Sequence, residues 1–218
     1  VHREWTERRG DEHYIGLKGL KPELLAPLVA GAHRDGLRVA AHVESAADFR
    51  VAVEAGVDLI AHLPGYQFWE GQDESAYRLD DASIALAAQR RIPVIATANA
   101  AQAAARGDTA RLARVQALQK DNLSRLVAAG VPIALGSDRF DATVGVEVDY
   151  LADLGVMSNA QLLRAAVELT PTLLFPQRKV GRLADGYEAN FLVLREDPTR
   201  ARAALKTIDL KVRRGVEY

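Results

Sequence analysis

The stretch AGVPIALGSD (129–138) closes a helical segment on glycine, enters an apolar run at once and ends on a carboxylate. Two earlier stretches share that grammar, DGLRVAAH (35–42) and AGVDLIAH (55–62), and both end on histidine. In each, a glycine able to adopt positive φ stops a helix and a short buried strand follows. Two further runs, YIGLK (14–18) and PVIAT (93–97), are as short and as apolar. Each run is too short for a helix and nearly continuous in apolar character, as strands buried on both faces are.

Helical segments separate the runs. Residues 22–35 open on Pro22, where a missing N–H costs little, and stop at Gly36. Pro27 lies within that segment and is expected to kink it or shift its start. Residues 46–55 begin at Ser45 with Asp48 three positions on, close to a capping box. Residues 109–129 carry Leu112, Val115, Leu118, Leu123, Leu126 and Val127 at rough amphipathic spacing. Strands alternating with helices through short turns read as βαβ units of a parallel sheet, an α/β fold.

Two architectures compete for such a pattern. A doubly wound sheet would carry a Gly-rich phosphate loop after an early strand, and the sequence has none. A (β/α)₈ barrel places its chemistry at the C-terminal ends of several strands. Lys18, His42, His62 and Asp138 each finish an apolar run, so the barrel is the better reading. After residue 175 the pattern changes: β-like runs near 189–194 and 207–213 read as strands of a small accessory sheet. The expected division is a barrel portion over 1–178 and accessory β-sandwich strands over 179–218.

Composition narrows the partners. The 28 basic and 29 acidic residues are spread along all 218 positions and leave no basic stripe for nucleic acid. No apolar run approaches the roughly 18 residues of a membrane span. With no cysteine, any metal must be held by His, Asp, Glu or a modified Lys. Singly, each candidate has an ordinary explanation: a packed core histidine, a helix-capping aspartate, a solvated lysine. Together at one end of four strands, they would converge on one mouth, and imidazoles with a carboxylate suit Zn²⁺ or a similar divalent ion.

These phrases also resemble a known family. YIGLK, LVAGAHRDGLRVAAH (28–42), AVEAGVDLIAH (52–62) and VPIALGSD (131–138) resemble the second half of amidohydrolase-superfamily barrels, near the imidazolonepropionase and prolidase-like branch. The tail, LLRAAVELTPTLLF (162–175) with VGRLADGYEANFLVL (180–194), resembles that branch's last helix and its return into a composite β-sandwich. The resemblance implies strands four to eight of the barrel. It makes Lys18 a carboxylated lysine bridging two metals and His42 and His62 ligands of the second metal. It makes Asp138 a ligand of the first metal and the group that handles the proton. The implied chemistry is hydrolysis of an amide, cyclic amide or related C–N bond in a small-molecule substrate by metal-activated water.

The family's strand-one His-x-His pair has no counterpart here: the other histidines are His2, His13 and His33, and His33 reads as structural. A full barrel takes about 250 residues, so the first three units are expected from outside this sequence. The outer edge of strand 14–18 is then expected to be covered by the missing N-terminal segment, by another chain, as in a homo-oligomer, or by a rearranged local strand. The segment LPGYQFWEGQDESAYRLD (63–80) brings Tyr66, Phe68 and Trp69 near the mouth, either as a substrate wall or simply as loop packing. The small residues of ANAAQAAARGDTARL (98–112) read as a lid. A catalytically inactive scaffold, and a decarboxylase or isomerase on the same fold, are the competing readings.

Overall fold

The computed structural model describes residues 20–66, 68 and 74–218. The strand expected at 14–18, with Lys18, lies outside the described residues, and so does Trp69.

Four short strands form a parallel sheet in sequential order: β1 (Ala40–His42), β2 (Leu59–Ala61), β3 (Val94–Ile95) and β4 (Ile133–Ala134). Their register is set by helices that return the chain to the same end of the sheet each time. α1 (Leu25–Arg34) precedes β1, α2 (Ala46–Ala55) joins β1 to β2, and α3 (Asp81–Arg90) joins β2 to β3. α4 (Ala100–Ala105) and the 20-residue α5 (Thr109–Ala128) lie between β3 and β4. After β4 come α6 (Gly145–Leu154), α7 (Asn159–Arg164), a π-helical turn (Ala165–Leu169) and α8 (Thr170–Leu174).

The capping signals act as expected. Ser45 accepts from the Asp48 backbone N–H and starts α2, while Gly56 ends it at φ 75°. Pro27 does not kink its helix. A 3₁₀ turn over Pro22–Leu24 precedes an α-helix that starts at Leu25, so Pro27 falls in the first α turn, where its missing N–H is not needed.

Ala41, Ile60, Val94 and Ile133 lie at one register level and share one face of the sheet. All four are buried in one core with Phe49 of α2, Ala87 of α3, Leu126 of α5 and Leu151 of α6. Burying a side chain such as Phe49, with none of its surface exposed, contributes about 1.5–3 kcal/mol. His42, Ala61, Ile95 and Ala134 lie one level on and point to the opposite face.

The region expected to be a lid is instead helical. Ala101 and Ala105 of α4 are buried, and α4 packs on α5. Small residues here permit close helix contact rather than mobility. A separate antiparallel sheet, in the order β5 (Phe191–Leu194), β6 (Ile208–Arg213) and β7 (Val216–Glu217), follows near the C-terminus. No helix among the described residues is long and apolar enough to cross a membrane.

Candidate active site

The parallel strands deliver their polar residues at successive heights. His42 ends β1, His62 follows β2 directly, Thr97 lies two residues past β3 and Asp138 four past β4. Three of these, His62 (φ 79°), Thr97 (φ 47°) and Asp138 (φ 51°), hold the left-handed conformation. Such a backbone costs a non-glycine residue on the order of 1–3 kcal/mol and is steepest for a β-branched one like Thr97. Three of the six such non-glycine residues among those described stand at this one edge of the sheet.

The two imidazoles meet edge to face, with centroids 4.7 Å apart and an interplanar angle of 78°. His42 Nε2 lies 3.1 Å from Glu44 Oε1, and the Tyr66 hydroxyl donates to the same oxygen over 3.4 Å. A carboxylate only accepts, so the proton of His42 sits on Nε2 and its lone pair on Nδ1. His62 Nδ1 lies 2.6 Å from Thr97 Oγ1, and the Thr97 hydroxyl donates its single hydrogen to Ala96 O at 2.8 Å. In that arrangement Nδ1 of His62 is the donor, which puts the lone pair of the ring on Nε2.

Burial holds the His62 imidazole below its usual pKa and the adjacent His42 pushes it the same way, while Asp138 and Glu44 act in the opposite sense. Both carboxylates thus lie within electrostatic reach of His62. A neutral imidazole is the form that binds a divalent metal. Among the described residues no group of three or more His, Asp or Glu is close enough to hold an ion by itself. The two facing imidazoles bring two ring systems with nitrogen donors to this edge of the sheet.

Behind the mouth stands Glu147 of α6, a fully buried carboxylate. It accepts from the backbone N–H groups of Ala98 and Asn99 at 2.8 Å each and from Asn99 Nδ2 at 2.7 Å. Asn99 Nδ2 also donates to Ser137 O at 3.1 Å, so one side chain links the ends of β3 and β4. Gln119 of α5 donates to Ala98 O at 3.1 Å and accepts from the Tyr150 hydroxyl at 2.6 Å. Burial pushes the Glu147 carboxyl up, and the hydrogen bonds from Asn99 and Ala98 counter it.

Sequence reading pointed to none of Glu44, Thr97, Asn99 and Glu147. The His-x-Glu spacing of residues 42–44 is the one local signal that could have raised Glu44. The aromatic loop divides. Tyr66 reaches the mouth through Glu44, whereas Phe68 packs on Tyr77 at 5.4 Å between centroids, with Arg114 over its ring. Phe68 thus anchors the loop. His33 lies at the other end of the sheet, where its Nε2 is 2.9 Å from Asp58 Oδ2 and the same oxygen accepts from Val39 N at 2.6 Å.

No protein-family model matches the chain. An ochratoxinase of Aspergillus niger is 30% identical over 183 residues, 81% of this chain and 36% of that protein. The crystal structure of A. niger ochratoxinase superposes with a TM-score of 0.73 at 25% identity, over 91% of this chain and 45% of that one. A Xaa-Pro dipeptidase structure with methionine bound in its active site gives 0.73 at 22% identity, over 91% and 49%. An amidohydrolase structure gives 0.72 at 24% identity, over 92% and 49%. The chain thus spans between about a third and a half of the length of the proteins it matches.

Proposed function

We propose, for a chain that belongs to the amidohydrolase superfamily, that it forms strands four to eight of a (β/α)₈ barrel in an amidohydrolase-type enzyme. The barrel portion extends over residues 1–178, and residues 179–218 contribute strands to an accessory β-sandwich. The reaction is hydrolysis of an amide or related C–N bond in a small molecule. Its relatives support hydrolysis of amide bonds in general, since they include an amidohydrolase and a dipeptidase. The observation that carries the reading is the facing pair His42 and His62 at the ends of adjacent parallel strands. The C-terminal strand ends are where such barrels keep their chemistry.

His42 through Nδ1 and His62 through Nε2 would hold a divalent ion such as Zn²⁺, with Lys18 and Asp138 as further donors. Once bound, such an ion supplies a water of lowered pKa and polarises the scissile carbonyl. Asp138, exposed at the mouth, accepts the proton of the attacking water and returns it to the leaving nitrogen. Glu44 orients His42 by accepting from Nε2. Tyr66 at the rim, and Trp69 in the same loop, form a wall for the substrate.

The experiment is elemental analysis of the full-length protein and of its His42→Ala, His62→Ala double variant, alongside an amide and dipeptide hydrolysis screen. The wild type is expected to hold divalent metal and cleave at least one amide, and the double variant to lose most of both. Unchanged metal content in the double variant would refute the assignment.

A further inference from the structure

Thr97 sits where three independent restraints meet. Its hydroxyl is spent on Ala96 O, its γ-methyl faces Gly136, and its backbone continues into the two N–H groups that Glu147 captures. A Cβ added at Gly136 would approach Thr97 Cγ2 to 3.2 Å and Ile95 Cγ2 to 2.9 Å. That bare glycine is what lets β4 close against the threonine. Thr97 is 6% exposed, and its φ of 47° is one that threonine rarely adopts. So costly a conformation persists only when its surroundings fix it.

The consequence falls on His62. With its own hydrogen on Ala96 O, 2.8 Å away, the Thr97 oxygen accepts from the ring nitrogen at 2.6 Å. We infer that Thr97, clamped by Glu147 and Asn99, is a positioning residue that locks His62 as its Nδ1–H tautomer and turns Nε2 toward the mouth. Its value to the protein rests on the metal-holding role proposed above for His62; the tautomer itself does not. A free imidazole in water exchanges protons between its nitrogens and turns about its side-chain bonds. The clamp removes both freedoms before anything binds. Through Asn99 and Ser137 O the same carboxylate fixes the backbone next to Asp138. One buried residue on α6 therefore sets the relation between the imidazole and the carboxylate without touching either.

Side-chain ¹⁵N NMR of the metal-free, full-length protein reads the tautomer directly. In the wild type, His62 is expected to show a protonated Nδ1 and an unprotonated Nε2. Thr97→Val, which keeps the shape and loses the acceptor, should abolish that preference, and Thr97→Ser should restore it. Glu147→Gln keeps the side chain's size but replaces one of its two acceptor oxygens with a donor, and should leave His62 averaged between states. Zinc affinity should fall about 10- to 100-fold in Thr97→Val, as for other residues that orient a ligand. An unchanged His62 tautomer in folded Thr97→Val overturns the inference. A shifted tautomer with undiminished zinc affinity upholds the positioning role and instead overturns His62 as a metal ligand.

Discussion

The parallel sheet and the C-terminal antiparallel sheet solve the same problem, pairing backbone groups, with opposite use of side chains. In β1–β4 the strands are two or three residues long, and one face lies wholly within the core. In β6 half-buried and exposed residues alternate, and in β5 the two central residues, Leu192 and Val193, are exposed. Ion pairs do much of the tying there: Arg195 with Asp209, Arg178 with Glu188, and Arg202 with Asp149 and Asp153 of α6. A region held by burial can carry strained residues such as Thr97, because its surroundings do not yield. A region held by exposed pairs, each worth about 0–1 kcal/mol, has less to resist with. Of the six non-glycine residues with positive φ among those described, three stand at the mouth of the parallel sheet, Arg91 and Arg106 end helices, and Arg214 turns the β6–β7 hairpin beside Gly215.

Chemical denaturation would break the comparison most sharply at Phe49. Truncation in Phe49→Ala should cost about 3–5 kcal/mol, the range for a fully buried phenylalanine. A loss below about 1 kcal/mol would show that this core yields after all. Gly136→Ala is expected to cost less, about 1–3 kcal/mol as overpacking, because the new Cβ meets Ile95 and Thr97. A variant as stable as the wild type would mean that β3 and β4 can part freely.

The smallest effect belongs to the antiparallel region. The Arg178 guanidinium holds Glu188 down to a pKa of about 2, below the ordinary 4.5. A depressed carboxyl contributes stability above its unfolded pKa and loses it as the pH falls through the folded value. Glu188→Gln should therefore match the wild type in thermal melts near pH 2 and fall slightly below it near pH 7, with the gap narrowed by salt. A gap that persists at pH 2 would show that Glu188 acts through packing rather than charge.

Local order was legible in the sequence because its causes are local. Glycine stops, the Ser45 cap and short apolar runs depend on neighbours within a few positions, and they located four strands, with His42 ending one, His62 directly after another and Asp138 four residues past the last. The 81–90 helix went unread although Asp80 caps it through the Ser83 N–H, since its apolar spacing is diluted by alanine. Position along a strand also says nothing about depth. Pro27 read as a kink or a shifted start, and the helix does start late, at Leu25; the small residues of 100–105 read as a lid, yet Ala101 and Ala105 are buried in a helix.

What the sequence determined alone was which residues end the strands, since period and punctuation are written in consecutive positions. Only the tertiary structure decided which partner the His62 ring meets. That choice depends on Thr97, 35 positions from His62, and on Glu147, 48 and 49 positions from the backbone groups it holds. Hydrogen bonds of this kind exist only once strand register and helix packing have set the distances. No spacing rule in the chain encodes them.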